Sequence, residues 1–139
     1  MLHDFKVDMC KEFEMSDLGQ LHYFLGIEIW QSEKGIFMSQ AKYAMDILKK
    51  FNMSDCKPLA TRVEFGLKLS KYEDSDSVDA TFYRQLIGSL IYLTSACPDI
   101  AYVVSLVSRF MADPKIEHWK TAKRILRYIR GTRDYGLQY

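Results

Sequence analysis

Two prolines cut the second half of this chain into three pieces of helical length, and that punctuation limits the fold more than anything else in the sequence. From Asp79 or Thr81 to about Ala96, Leu86, Leu90 and Leu93 recur at helical spacing. Pro98 breaks the run and, with Asp99, opens a second helix that reaches about Met111. Asp113-Pro114 is the next break. The spacing predicts a final helix from about Ile116 to Ile129, with Trp119, Ala122, Leu126 and Ile129 as its apolar stripe and Gly131 as its stop. Three apolar stripes in succession bury themselves against one another, so this half reads as a helical bundle.

The first half reads differently. Leu2, Phe5, Met9 and Phe13 predict a helix over residues 2–14, and Asp17-Leu18-Gly19 a turn. Residues 22–31 are rich in aromatic and β-branched types, which predicts a strand. Residues 32–35 have the polar, Gly-ended composition of a hairpin loop, and residues 36–38 pair back. Ser39 is a good N-cap for a helix from Gln40 to about Phe51, with Tyr43, Ile47 and Phe51 recurring every fourth position. Residues 55–80 hold Pro58, Gly66 and an acidic, Ser-rich run; they predict an extended connector, mobile near Glu73 to Ser77. Tyr135 to Tyr139 begins a further strand. The fold class is therefore α+β, a β-hairpin with flanking helices followed by a helical bundle, and 139 residues suffice for one core.

A net charge of +1 conceals an uneven distribution. Residues 1–108 carry 11 Lys/Arg against 15 Asp/Glu, whereas residues 109–133 carry 8 against 2. A basic block on a neutral chain points either to a polyanion partner or to a solvated helix face. Three scattered cysteines form no metal motif and fit a reduced, intracellular protein. No secretory signal is visible and no apolar stretch is long enough for a membrane span. The sequence contains no Tyr-x-Asp-Asp, no Gly-rich phosphate loop and no Gly-x-Ser-x-Gly. Asp74, Asp76 and Asp79 come nearest to the clustered carboxylates that a two-metal site requires, but they sit in the Ser-rich connector. His3, His22 and His118 are too scattered for a metal centre.

Three constellations remain. Gly26 lies inside the strand-like run Phe24-Leu25-Gly26-Ile27, where a glycine marks a bulge or the close approach of another backbone. Arg84, Gly88 and Tyr92 follow at four-residue steps and share one helix face. A mid-helix glycine costs about 1 kcal/mol relative to alanine, so Gly88 implies either tight helix packing or the passage of a ligand. Lys120, Lys123, Arg124, Arg127 and Arg130 lie across the last helix from its apolar stripe and offer five cations to whatever runs alongside.

Four blocks carry a resemblance: FEMSDLGQLHYFLGIEIW from Phe13 to Trp30, then GIFMSQAKYAMDILKKFNM, YRQLIGSLIYLTSACPDIAY and HWKTAKRILRYIRGTRDYGLQY. In this order they resemble the reverse transcriptase of copia-type LTR retrotransposon Pol polyproteins over roughly residues 10–139. The resemblance implies a palm remnant with a primer-grip-like hairpin over residues 1–54, the connector over 55–80 and a helical thumb over 81–133. Residues 134–139 would be a truncated strand leading toward an RNase H domain. It also implies that Phe24, Leu25 and Gly26 hold a primer terminus and that Arg84, Gly88 and Tyr92 track a minor groove. The implied partner is an RNA–DNA or DNA duplex, bound weakly and without sequence preference, together with the remaining Pol segments. The parent enzyme would use Mg2+; this chain, without the catalytic Asp motif, is expected not to polymerise alone.

The chain departs from the family pattern twice. Cys97 stands where an arginine usually precedes Pro-Asp-Ile, which is expected to weaken an ion pair at a helix start. Thr61-Arg62 stands where Thr-Pro is common, which is expected to loosen the connector. A rival reading comes from Arg124-Ile125-Leu126-Arg127, which satisfies the Arg-x-Leu-Arg pattern of secreted plant-pathogen effectors. In those proteins the motif follows a signal peptide, whereas here it lies near the C-terminus with Leu126 in the apolar stripe. On that reading a retroelement-derived protein is co-opted to act on host cells.

Overall fold

The computed structural model of the protein describes residues 1–71 and 74–139. Among these, five α-helices accompany one four-stranded antiparallel sheet, which makes the fold α+β. The helices are α1 (Leu2–Glu12), α2 (Ala41–Lys50), α3 (Ala80–Leu93), α4 (Ala101–Ser108) and α5 (Ile116–Thr132). The strands are β1 (Tyr23–Phe24), β2 (Ile27–Ser32), β3 (Gly35–Ser39) and β4 (Gly136–Gln138), hydrogen-bonded in the order β1-β2-β3-β4.

The core is helical. Ala44, Ile47 and Leu48 of α2 join Leu86, Ile87, Leu90 and Leu93 of α3, Val103, Val104 and Val107 of α4, and Ile125, Leu126 and Ile129 of α5 in one buried cluster. Of the positions that helical spacing singles out, Ile47, Phe51, Leu86, Leu90, Leu93, Ala122, Leu126 and Ile129 are buried in this cluster, whereas Tyr43 and Trp119 pack against it partly buried. Asp79 starts α3 by accepting a hydrogen bond from the Phe82 amide at 2.8 Å, a cap worth about 1 kcal/mol. Pro98 sits in the first turn of a short 3-10 segment (Pro98–Ile100) that leads into α4. Fully buried Tyr83 donates its hydroxyl to the Val107 carbonyl at 2.8 Å and so ties α3 to α4. Its burial raises the phenol above its ordinary range.

Four expectations need correction. The strand expected over residues 22–31 is two strands, because Leu25 (φ 49°) and Gly26 (φ 78°) turn the chain between Phe24 and Ile27. Positive φ at both central residues is the geometry of a two-residue hairpin turn, and glycine supplies the second position without strain. Gly131 does not stop the last helix, which continues through Thr132. A Cβ at Gly131 would lie 3.2 Å from the Pro58 Cβ, so the glycine instead lets the connector approach the helix. Nor is the connector loose at its start: Arg130, Arg127 and Arg124 on α5 hold Ser54, Lys57 and Thr61. Where mobility was expected, residues 72 and 73 lie outside the described part, but Asp76 to Val78 are pinned to the start of α5. Ile116 N–H donates to the Asp76 carbonyl at 3.0 Å and Val78 N–H to the Pro114 carbonyl at 2.8 Å.

The fourth correction concerns the two family departures. Arg62 places its guanidinium 3.8 Å from the Asp99 carboxylate, bonds the Asp99 carbonyl and covers the Tyr128 ring at 5.4 Å. Tyr128 donates to the same carboxylate at 2.5 Å. Asp99 therefore keeps a cation although Cys97 supplies none, and the connector is tied down at the position where proline is missing. Burial raises the Cys97 thiol to about 11, with Asp99 adding to the shift.

His118 closes the connector's far end. It is fully buried and stacked on Phe110 with ring centroids 3.7 Å apart. Its Nδ1 accepts from the Lys115 amide at 3.0 Å, so Nε2 carries the proton and donates to the Ser70 carbonyl at 2.9 Å.

Candidate nucleic-acid interface

The hairpin tip and the candidate face of α3 meet. The Tyr92 hydroxyl donates to the Leu25 carbonyl. A Cβ on Gly26 would lie 3.3 Å from both the Tyr92 Cε1 and its hydroxyl oxygen. The close approach expected of Gly26 is thus made to a protein ring. Tyr92 is held in place by Tyr43 of α2, edge-on with centroids 5.0 Å apart. On the other side of the hairpin, the Glu28 carboxylate accepts from the Lys42 amide at 3.3 Å, at the electropositive start of α2. Neither the Tyr92 contact nor the Glu28 cap was signalled by sequence spacing; both join residues distant along the chain.

Around this junction the surface is aromatic and apolar. Phe24 and Leu25 are 49% and 67% exposed, and Tyr92 is 40% exposed despite its contacts. Arg84 and Gly88 continue the same face of α3 and are also exposed. A Cβ at Gly88 would meet nothing within 4 Å. Close helix packing therefore does not explain this glycine; it leaves a smooth step between Arg84 and Tyr92. Among the described residues Arg84 makes only long contacts, 3.5 Å each, to the Met111 carbonyl and the Thr81 hydroxyl. Hairpin tip and helix together present a continuous strip that carries one cation, two aromatic rings and two glycines.

The five cations of α5 are differently disposed. Lys120 pairs with Glu117 at 2.7 Å. Arg124 bonds Glu64 at 3.0 Å and the Thr61 hydroxyl at 2.8 Å. Arg127 and Arg130 donate through Nε to the Lys57 and Ser54 carbonyls at 2.8 and 2.7 Å. Lys123 has no ion pair or hydrogen bond among the described residues. Helical spacing puts these side chains on one face, but the connector, distant along the chain, lies across them.

Of the three connector carboxylates, Asp79 caps α3, and Asp74 and Asp76 are exposed. Among the described residues no three His, Cys, Asp or Glu side chains are grouped to hold a metal ion. His118 is structural, while His3 and His22 are exposed. No helix among the described residues is long and apolar enough to cross a membrane.

Residues 1–65 match the family model described as reverse transcriptase (RNA-dependent DNA polymerase). The retrovirus-related Pol polyprotein from transposon RE1 of Arabidopsis thaliana is 41% identical over 137 residues, covering 99% of this chain and 9% of the relative. An uncharacterized mitochondrial protein of the same plant is 42% identical over 125 residues, 90% of this chain and 52% of the relative. The secreted RxLR effector protein 161 of Plasmopara viticola is 40% identical over 58 residues, 41% of each chain. No solved structure matches. The chain thus spans about a tenth of the Pol polyprotein and about half of the mitochondrial relative. In the Arg-x-Leu-Arg segment, Ile125 and Leu126 are fully buried in α5, and both arginines bond the connector. With the family model on its first half and Pol relatives along nearly its whole length, the chain belongs to the reverse transcriptases of copia-type retrotransposon Pol polyproteins, as a fragment of their length.

Proposed function

We infer that the chain is the template–primer-holding part of such a reverse transcriptase, the hairpin serving as a primer grip and the helices α3 to α5 as the thumb. The observation that carries this reading is the bond from Tyr92 to Leu25. It joins Phe24, Leu25 and Gly26 to Arg84, Gly88 and Tyr92 in one exposed strip. The bare surface at Gly88 lets a sugar–phosphate backbone lie close, the rings offer apolar contact, and Arg84 offers a charge-assisted bond to phosphate. Such contacts position a duplex and read no sequence. On this reading the fragment does not polymerise alone, and the remaining Pol segments supply the metal-binding carboxylates. The effector reading has less support: its match covers 41% of the chain, and both arginines of its motif are engaged by the connector.

The test is a binding titration of the whole chain against an RNA–DNA hybrid at two salt concentrations. Binding is expected at low salt, falling with a log–log slope of roughly 0.9 per phosphate engaged. Arg84→Ala and Tyr92→Ala are each expected to weaken it several-fold. Absence of binding even at low salt would dispose of the reading, as would nucleotide incorporation by the chain alone.

A further inference from the structure

A groove of about 510 Å³ lies between α5 and the connector turn at residues 64–67. That volume is within the range of ligand pockets, roughly 300–1,000 Å³. Four cations, Lys120, Lys123, Arg124 and Arg127, line it together with two carboxylates, Glu64 and Glu117. Both carboxylates are already spoken for, by Arg124 at 3.0 Å and Lys120 at 2.7 Å. Lys123 is unpaired among the described residues, and Arg127 uses only its Nε, so two positive charges remain without a counter-charge. The Nε of Arg124 is buried with no acceptor.

Between Glu64 and Leu67, two of the residues that line this groove, stands Phe65. The turn is closed by the Leu67 amide donating to the Glu64 carbonyl at 3.2 Å, with Gly66 at φ +73°. That geometry makes Phe65 the outermost residue of a type II turn whose two ends, Glu64 and Leu67, form part of the groove wall. Phe65 is 109% exposed, more than in an extended reference chain, so its ring packs on nothing. A single exposed phenylalanine is ordinary. One held out by a turn beside uncompensated cations is the pairing by which proteins hold unpaired nucleotides, with a ring for the base and cations for the phosphates.

We propose that this groove binds single-stranded nucleic acid, with a base stacked on Phe65 and the adjoining phosphates on Lys123 and Arg127. A duplex is the poorer occupant, because its base faces are already stacked on one another. An acidic peptide is poorer too, because an aromatic face carries negative charge density and gains nothing from a carboxylate. The inference shares with the preceding reading only that the partner is a nucleic acid; it concerns different side chains and a different form of the polymer.

Fluorescence anisotropy on the whole chain tests it, using a labelled thymidine oligonucleotide of roughly a dozen nucleotides at low salt. Phe65→Ala is expected to weaken oligonucleotide binding roughly tenfold, the scale of one lost stacking contact. Because Phe65 touches no core residue, the variant is expected to fold as wild type, and circular dichroism checks this. Lys123→Ala is expected to reduce the salt slope by roughly 0.7, one phosphate of a single strand. Neither change is expected to alter binding of the RNA–DNA hybrid, while Tyr92→Ala is expected to weaken the hybrid and leave the oligonucleotide unaffected. Oligonucleotide binding that is absent, or indifferent to Phe65→Ala, overturns this inference and leaves the duplex reading standing. Hybrid binding that fails while the oligonucleotide still binds overturns only the duplex reading. Competition by poly-glutamate as strong as by the oligonucleotide also overturns the inference, since charge alone would then suffice.

Discussion

Residues 1–38 and residues 39–129 are held by different forces. Among the described residues, every buried side chain falls in the second stretch; the first, with a helix and most of a sheet, buries none. α1 is 11 residues long and has no buried position, and Leu2 and Phe5 stand 70% and 60% exposed. A helix of that length is marginal in water without an apolar face to bury. The hairpin is little better covered: Trp30 and Phe37 pair across its strands at 5.6 Å, and Trp30 remains half exposed. The arm is therefore fastened by backbone pairing of β3 with β4, the Glu28 cap on α2 and the Tyr92 bond at the tip. The difference teaches that secondary structure and tertiary stability are separable in this chain: the arm has the first, and the helical bundle supplies nearly all of the second.

The largest effect expected from that division is a contrast between two truncations. Leu90→Ala, at a position with no exposure, is expected to cost roughly 2–5 kcal/mol, the sum of lost transfer energy and a cavity. Phe5→Ala is expected to stay within about 0.5 kcal/mol, since most of that residue is already in water. Urea unfolding of both variants measures the contrast; comparable losses would mean that α1 belongs to the cooperative unit after all.

The next effect probes the fastening itself. A Cβ at Gly136 would run into the Met38 carbonyl and lie 2.7 Å from the Phe37 ring. Gly136→Val is expected to prise β4 from β3 at roughly 1–3 kcal/mol, the usual range for overpacking. Hydrogen exchange is expected to show β3 amides losing protection while the amides of α3 and α5 keep theirs. Uniform loss across the molecule would show that the sheet and the bundle unfold as one.

The same division marks what the sequence made legible. The bundle could be read because each helix carries its own period: Leu86, Leu90 and Leu93 announce a buried face whatever they pack against. Breaks at Pro98 and Pro114 and the cap at Asp79 are likewise local chemistry. The alignment of Arg84, Gly88 and Tyr92 on one face follows from helix geometry alone. What stayed hidden depended on partners far along the chain. Nothing local to Gly26 says that its neighbour is Tyr92, 66 positions on, nor does Leu25 advertise a left-handed backbone. The α5 arginines illustrate the limit most clearly: spacing gave their common side, but only folding shows the connector lying along it. Arg62 was first a missing proline and became a partner for Asp99.

A smaller effect tests that connector latch. Tyr128 is held at about 12, above its ordinary value of 10.0, first by burial and then by its bond to Asp99. Because the folded state raises the phenol's pKa, the protonated form is the one it favours. The associated stabilisation is fully present below about pH 10 and is lost as pH rises from there through about 12. Tyr128→Phe is expected to cost roughly 1 kcal/mol near neutrality, the worth of one hydrogen bond whose acceptor keeps Arg62. It is also expected to flatten the alkaline loss of stability. Buried Tyr83 titrates in both proteins, so the difference between the two pH profiles isolates Tyr128. Superimposable profiles would mean that the latch adds nothing to the bundle.

The smallest effect on global stability, and the most discriminating, is expected from Tyr92→Phe. The change keeps the ring against Tyr43 and removes only the hydroxyl that reaches the Leu25 carbonyl. Leu25 is 67% exposed, so its freed carbonyl finds water, and the net loss is expected at roughly 0.5 kcal/mol, the low end for one hydrogen bond. Urea unfolding reports the bundle, where this bond does not lie, and the midpoint is expected to stay nearly fixed. Local opening of the tip responds differently. The β1–β2 turn is two residues long on strands of which one has only two, and without Tyr92 nothing else among the described side chains bonds its tip. Amide exchange at Ile27 is therefore expected to quicken while α3 remains protected. If the tip holds its protection without the hydroxyl, the hairpin is rigid on its own pairing, and the arm is less dependent on the bundle than its lack of buried side chains implies.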